Sequence, residues 1–316
     1  MLAALCIGAG FFLPQLLNNP FYIGLAQQGI VLGIAAVGIG FLMHQCGFVM
    51  FGVAAFVGLP AYLVGISVHN LGLSTAAAVG VALLGSTLFA LLVGALVVRA
   101  RPLPFAMLTL ALAQMLKTVC TLQAIRPFTG GDDGLSMNFE GSFLGLTQSE
   151  FGKPMQFWPI AWGTLCVSML LVWTAGRSRL GAVLRAIKSN EERMRFSGFD
   201  TYIPRLAAFA LSCFVVSLSG VLIALSGAFA SPELLDFVTG GSALTAMLVG
   251  GPATAGGGVL GALLYTWGQD IFGTTGHLEL LTGIAMVVVI WFFPQGAMGF
   301  VQRVGLRLRA LFRRGN

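Results

Sequence analysis

Long apolar runs alternate with short polar stretches along this chain, and the runs have the lengths of membrane-spanning helices. The first charged side chain is Arg99, so 98 residues pass without one Asp, Glu, Lys or Arg. At roughly 20 residues per crossing, that run predicts about four helices. They are Leu2–Leu17, Phe21–Met43, Phe48–Ile66 and Leu73–Val98, punctuated by Asn18-Asn19-Pro20, Gly47 and His69-Asn70. Gly47, Gly52, Gly58 and Pro60 interrupt the third, which makes it a candidate half-helix. Further on, Leu103–Leu122, Phe157–Ala175, Leu206–Ala230 and Leu280–Phe293 predict one crossing each, and Gly240–Trp267 is apolar but broken by glycines. The expected class is an all-α integral membrane protein: a polytopic bundle of about 8–10 transmembrane helices, some broken or re-entrant. Residues 1–316 are expected to form one transmembrane domain.

Composition agrees, since 57% hydrophobic residues, 9% charged residues and a mean hydropathy of +0.91 exclude a soluble globule. Charge then orients the bundle. Of 17 basic residues, 14 fall in three places: Arg99 with Arg101, seven between Arg177 and Arg205, and five between Arg303 and Arg314. The positive-inside rule puts all three in the cytoplasm, including the 176–205 loop and the 303–316 tail. The 126–156 loop carries two bases and four acids (Asp132, Asp133, Glu140 and Glu150) and is expected outside. Glu233, Asp236 and the start of the last helix are then outside too, so Gly240–Trp267 must enter and return. Its glycine-rich centre, Leu248 to Gly258, separates two apolar arms of about ten residues. An arm of that length reaches ~15 Å, half of a ~30 Å hydrocarbon core. Bare backbone at that depth survives only against protein or a water-filled path, so the break is a candidate pathway wall. A thin, tightly packed hairpin is the alternative.

Sites for chemistry are few. The five cysteines show no metal or CxxC spacing, and His44, His69 and His277 have no second ligand at helical spacing. Leu2–Leu17 lacks the basic start of a signal peptide and is expected to remain as a membrane helix. The glycine-rich turn Thr129-Gly130-Gly131-Asp132-Asp133-Gly134 fits neither a phosphate loop nor an EF-hand. Lys117 stands in an apolar run and is expected to snorkel to the interface.

The 176–205 loop is more informative. Leu180, Val183, Leu184 and Ile187 form one apolar stripe, with Arg185 and Lys188 pointing elsewhere. Ser189 and Glu192 have capping-box spacing, so a second short helix is expected to start there and end at Gly198. Adhesion to anionic lipid needs neither a helix break nor acids. The mixed set Lys188, Glu191, Glu192, Arg193 and Arg195 better suits a protein partner.

Ser178-Arg179-Leu180-Gly181, Leu184-Arg185-Ala186-Ile187, Asn190-Glu191, Ser197-Gly198-Phe199-Asp200 and Leu206-Ala207-Ala208-Phe209 closely resemble the central region of LivM-type permeases of branched-chain amino acid ABC transporters. The likeness extends through Ser231-Pro232-Glu233-Leu234 to Gly258-Val259-Leu260-Gly261-Ala262, and upstream through the Thr129–Leu135 turn. Urea and short-amide permeases share these motifs. The resemblance implies the permease type of an ABC importer in the bacterial inner membrane. Its implied partners are a homologous second permease, two cytoplasmic ABC ATPases, an external substrate-binding protein and the lipid bilayer, with no nucleic acid. It implies no cofactor on this chain, because ATP belongs to the ATPases. The docking loop would comprise Leu184, Arg185, Lys188, Asn190, Glu191, Glu192 and Gly198. Met107, Thr109, Gln114, Thr245, Gly250, Gly251 and Thr254 are candidates for lining the substrate path, with ordinary helix packing as the alternative for each. Where the family carries Gly-Gly-x-Gly-Thr, an aromatic residue, Gly and Pro, this chain has Gly250-Gly251-Pro252-Ala253-Thr254-Ala255-Gly256-Gly257-Gly258, a looser breaker. Two rival classes remain. An ion-coupled transporter or channel would need ionisable residues inside the membrane, and a membrane enzyme would need clustered nucleophiles, acids or metal ligands.

Overall fold

A computed structural model describes residues 19–139, 148–252 and 255–273, together with Gly10, Phe11, Pro14, Gly283, Gly296 and Gly299. Apart from those single residues, the helices expected at Leu2–Leu17 and Leu280–Phe293 lie outside the described residues. So do the 303–316 tail and Thr254.

Helix α1, Pro20–Cys46, is the axis of the bundle. It is apolar all round and buried on nearly every face, as a helix ringed by other helices must be. Around it stand α2 (Val53–His69), α3 (Thr75–Val97), α4 (Pro102–Thr121), α5 (Pro154–Arg177), α8 (Tyr202–Gly227), α9 (Phe237–Gly250) and α10 (Ala255–Gly273). Five of these, α1, α3, α4, α5 and α8, are long and apolar enough to cross a membrane. Two short helices, α6 (Arg179–Ser189) and α7 (Glu191–Phe196), form the 176–205 loop.

Small residues set the helix spacing. Gly29 and Gly33 lie one turn apart on α1 and admit Leu263 and Val259 of α10, while Gly38 admits Val216 of α8. Ser212 of α8 donates to the Gly38 carbonyl at 2.7 Å, a polar tie between two otherwise apolar helices. At Gly220 a Cβ would run into the Val57 carbonyl, so α8 meets α2 backbone to backbone. By contrast, α3, α4 and α5 leave leucines and methionines exposed, including Leu84, Leu96, Leu103, Met107 and Leu170. In a membrane protein this is the surface that lipid or another subunit covers.

The two ends of the bundle differ in charge. Lys188 donates to the Met43 and His44 carbonyls at the end of α1, and Arg185 donates to Gly176 O at the end of α5. Tyr202, at the start of α8, donates to Ala95 O near the end of α3, and Arg99 stacks over its ring. Two of the basic clusters in the sequence therefore meet at one end, the basic end. The far end gathers the single turn Arg126–Thr129, the two-residue strands β1 (Leu135–Ser136) and β2 (Phe229–Ala230), and Asp236. The strands pair antiparallel, with Leu135 opposite Ala230.

The α9–α10 hairpin enters from the far end and returns to it, as its flanking charges require. Asp236 caps α9 beside Lys117, and Trp267 of α10 faces Tyr22 at the start of α1. Its arms have 14 and 19 residues, not about ten each. At 1.5 Å per residue they reach roughly 21 and 28 Å. The Gly250–Pro252 turn consequently lies close to the basic end and not halfway down. Packing explains the extra length, since α10 rests its Gly257 and Gly258 on Gly250–Gly251 and on Ala36–Val37 at backbone distance.

The third apolar run is broken as expected. Gly47 ends α1 in the left-handed region (φ 75°), donating to Met43 O, and residues 47–52 continue without helix. Gly52 then opens α2 against the middle of α4. Its N–H approaches Thr109 Oγ1 at 3.4 Å, and a Cβ there would run into the Thr109 carbonyl.

Candidate functional site

The basic helix pair folds against the bundle through its buried face. Leu184 and Ile187 are buried, matching the apolar stripe, and Gly181 lets α6 turn sharply on the Gly176 carbonyl. The expected capping box is displaced by one residue. Ser189 is the last residue of α6, and Asn190 caps α7 by accepting from Arg193 N at 2.9 Å. An asparagine cap is worth about 1 kcal/mol over alanine, and Ser189 instead donates to Ala186 O.

Glu191 faces the bundle. Its Oε1 accepts from Arg205 Nη1 at 2.6 Å and Arg195 Nη2 at 2.7 Å, and its Oε2 accepts from Arg205 Nη2 at 2.6 Å. Thr201 adds a longer contact at 3.4 Å. Burial alone would raise the Glu191 pKa, but the hydrogen bonds and charge of Arg205, helped by Arg195 and Thr201, hold it below the ordinary value. The Arg205 side chain is 9% exposed, and its guanidinium lies 5.1 Å from the centroid of the Phe48 ring. Phe48 also stacks on Phe105 of α4, with ring centroids 4.7 Å apart, and Phe209 of α8 meets Phe105 edge-on. A continuous chain of contacts thus runs from α7 through Arg205 and Phe48 to α4. Sequence reading missed Arg205, which stands 14 positions from Glu191 and has no periodic relation to it.

The other loop residues divide by direction. Leu184, Arg185, Lys188 and Asn190 hold the helix pair together or to the bundle. Arg185 also donates to Gln45 Oε1 at 3.1 Å. Glu192 and Gly198 face outward, where the structure adds Phe196, Phe199 and Ile203, which are 90%, 54% and 63% exposed. A Cβ on Gly198 would meet nothing within 4 Å.

The candidate path residues do not converge. Met107 points away from the bundle at 69% exposure. Thr109 is buried and donates to Ala106 O. Gln114 lies beside Asp236, and Thr245 donates to Gly241 O within its own helix. Gly250 packs on the Gly257 carbonyl. Gly251 borders a cavity of about 310 Å³, with Val37, Phe41, His44, Trp173 and Pro252 also in its wall. The hairpin turn therefore does line a hollow, at the basic end. No cluster of His, Cys, Asp or Glu among the described residues could hold a metal ion.

Spanning apolar helices, an entering and returning hairpin, and a basic helix pair at one end define a polytopic all-α membrane permease. A family model described as branched-chain amino acid transport system / permease component matches residues 21–293, and the chain belongs to that family. Over 140 residues it is 26% identical to the high-affinity branched-chain amino acid transport system permease protein BraD of Pseudomonas aeruginosa, covering 43% of this chain and 45% of that relative. The matched region thus spans less than half of the curated relative's length. No solved structure matches.

Proposed function

We propose that this chain is one permease half of an ATP-driven importer for branched-chain amino acids in a bacterial cytoplasmic membrane. Its basic end faces the cytoplasm, in keeping with the positive-inside rule. A homologous permease completes the pathway, two cytoplasmic ATPases supply the energy, and an external protein delivers the solute. The chain itself performs no bond chemistry and binds no ATP.

One observation carries this reading: α6 and α7 are clamped on one side and carry unburied aromatics on the other. Phe196 and Phe199 sit among Glu192, Arg193 and Asp200, outside the long apolar helices. An apolar patch with a charged rim is the usual form of a protein docking surface. A partner pushing there moves Glu191, hence Arg205 and Phe48, and so reaches the 47–52 break and α4. Lipid headgroups are the rival occupant of Phe196.

The test is purification of the chain in mild detergent, identification of the proteins that come with it, and assay of ATP hydrolysis. Phe196→Asp places a charge on the outward face, and Gly198→Trp adds bulk there together with left-handed backbone strain at φ 80°. Recovery of ATPases and a second permease, lost in both variants, is the expected result. A chain recovered alone that moves solute without ATP would overturn the proposal and favour the channel reading.

A further inference from the structure

The glycine-rich turn of the far end has no role in the account so far. Thr129 Oγ1 donates to Cys120 O at 2.7 Å and accepts from Gly131 N at 3.3 Å, tying the turn to the end of α4. Gly130, Gly131 and Gly134 all have left-handed φ, at 75°, 65° and 74°. Gly134 also lies against the Phe229 ring and the Ala230 carbonyl, where a side chain would not fit. The turn is thus built to rest on β2, and it completes one wall of a polar hollow of about 520 Å³. Lys117, Thr121, Asp132, Phe229, Ser231 and Glu233 line it.

The charges in this hollow are unevenly used. Arg126 takes Asp133 at 2.9 Å, and Lys117 holds Asp236 at 3.0 Å. Asp132 and Glu233 have no side-chain hydrogen bond or ion pair among the described residues. An ammonium has three donors, so Lys117 can serve a second acceptor beside Asp236. The lining thus combines two exposed carboxylates, Asp132 and Glu233, an ammonium, the hydroxyls of Thr121 and Ser231, and the Phe229 ring, which is 42% exposed.

We propose that this hollow receives the charged backbone of a zwitterionic α-amino acid, before it enters the bundle. The ligand's ammonium meets Asp132 and Glu233, its carboxylate meets Lys117, and its side chain lies on Phe229. This rests on the importer reading above and narrows it. A neutral amide or urea brings no ammonium to the carboxylates and no carboxylate to Lys117, and forgoes both charge-assisted contacts. The contacts are partly screened by water, which suits a weak hand-over station in the range of about 1 mM.

The experiment is saturation-transfer NMR on the full chain in lipid nanodiscs, titrated with L-leucine. The competitors are 4-methylpentanoate, which lacks the ammonium, 3-methylbutylamine, which lacks the carboxylate, and urea. Leucine should saturate, each one-charge analogue should compete about tenfold less well, and urea should not compete. Asp132→Asn with Glu233→Gln should weaken leucine about tenfold and abolish competition by the amine, while leaving 4-methylpentanoate unchanged. Lys117→Met should do the reverse, with a thermal melt run beside it because Lys117 also anchors Asp236. Three outcomes overturn the proposal: no saturable leucine signal in the unmodified chain, leucine affinity unchanged by the double substitution, or urea competing as well as leucine. A chain that assembles with ATPases but fails this titration loses the site and keeps the importer reading. One that binds leucine but never assembles does the opposite.

Discussion

At the basic end the Glu191 carboxylate is held by Arg205, Arg195 and Thr201, whereas at the far end Asp132 and Glu233 have no side-chain partner among the described residues and border an open hollow. The ends differ in net charge, but net charge does not separate a held carboxylate from an open one. Burial and saturation do. A carboxylate already bonded to an arginine that is itself covered by an aromatic ring cannot recruit a ligand without breaking the fold, but it can transmit a displacement. Unsaturated carboxylates in a wet hollow have the opposite capacity.

The sharpest way to break this contrast is to remove one member of an ion pair at each end. Arg205→Met removes two of the hydrogen bonds to Glu191, leaving it Arg195 and Thr201, and uncovers Phe48. Breaking a buried pair costs about 3–5 kcal/mol, and the 31% exposure of Glu191 puts this case toward the lower figure. Asp236→Asn breaks the Lys117 pair, whose side chains are 33% and 34% exposed, and should cost about 0–1 kcal/mol. Thermal melts of the two purified variants should differ clearly. Equal losses would erase the distinction between the ends.

Two glycines sharpen it next. Gly134 adopts φ 74° and ψ −178°, a region nearly reserved for glycine, and its neighbours leave no room for a Cβ. Gly134→Ala should cost at least the roughly 1–3 kcal/mol of such backbone strain and distort the far-end hollow. Gly198 has φ 80° in open space, so Gly198→Ala should cost only the left-handed penalty of roughly 1–2 kcal/mol. The same pair of melts distinguishes them.

The smallest effect is in pH. Because the Glu191 pKa is lowered on folding, its stabilisation is fully present above the ordinary glutamate range and is lost as pH falls through the depressed value. The melting temperature should therefore show no Glu191 contribution to its slope between about pH 6 and 8. An acid limb should appear below about pH 4.5, and Arg205→Met should flatten it.

Much of this architecture was legible in the sequence because the signals were local. Runs such as Phe21–Met43 and Leu73–Val98 declare helices by length, and the charges flanking Gly240–Trp267 force an entering and returning path. The stripe of Leu180, Leu184 and Ile187 placed α6 correctly. What escaped was long-range. Nothing near Arg205 in sequence announces Phe48, and nothing near Glu191 announces Arg205. The hairpin arms were read short because the small residues of α10 look like a breaker, although they are the surface on which α10 meets α1. Glu191 stood out as a docking residue by charge, yet its partners are internal, and the outward aromatics Phe196 and Phe199 were overlooked because a charged loop drew attention to its charges.

The central claim is that Arg205 and Phe48 carry movement from the helix pair to the membrane helices. Its most direct test is ATP hydrolysis and solute uptake measured together, in one preparation of vesicles holding the complete transporter, for the unmodified chain and Phe48→Leu. Leucine keeps an apolar side chain but removes the ring that contacts both the guanidinium and Phe105. Coupling energies between linked sites commonly correspond to about 5–150-fold effects. The account predicts that ATP hydrolysis continues while uptake per ATP falls by at least about fivefold. Uptake per ATP equal to that of the unmodified transporter would contradict it.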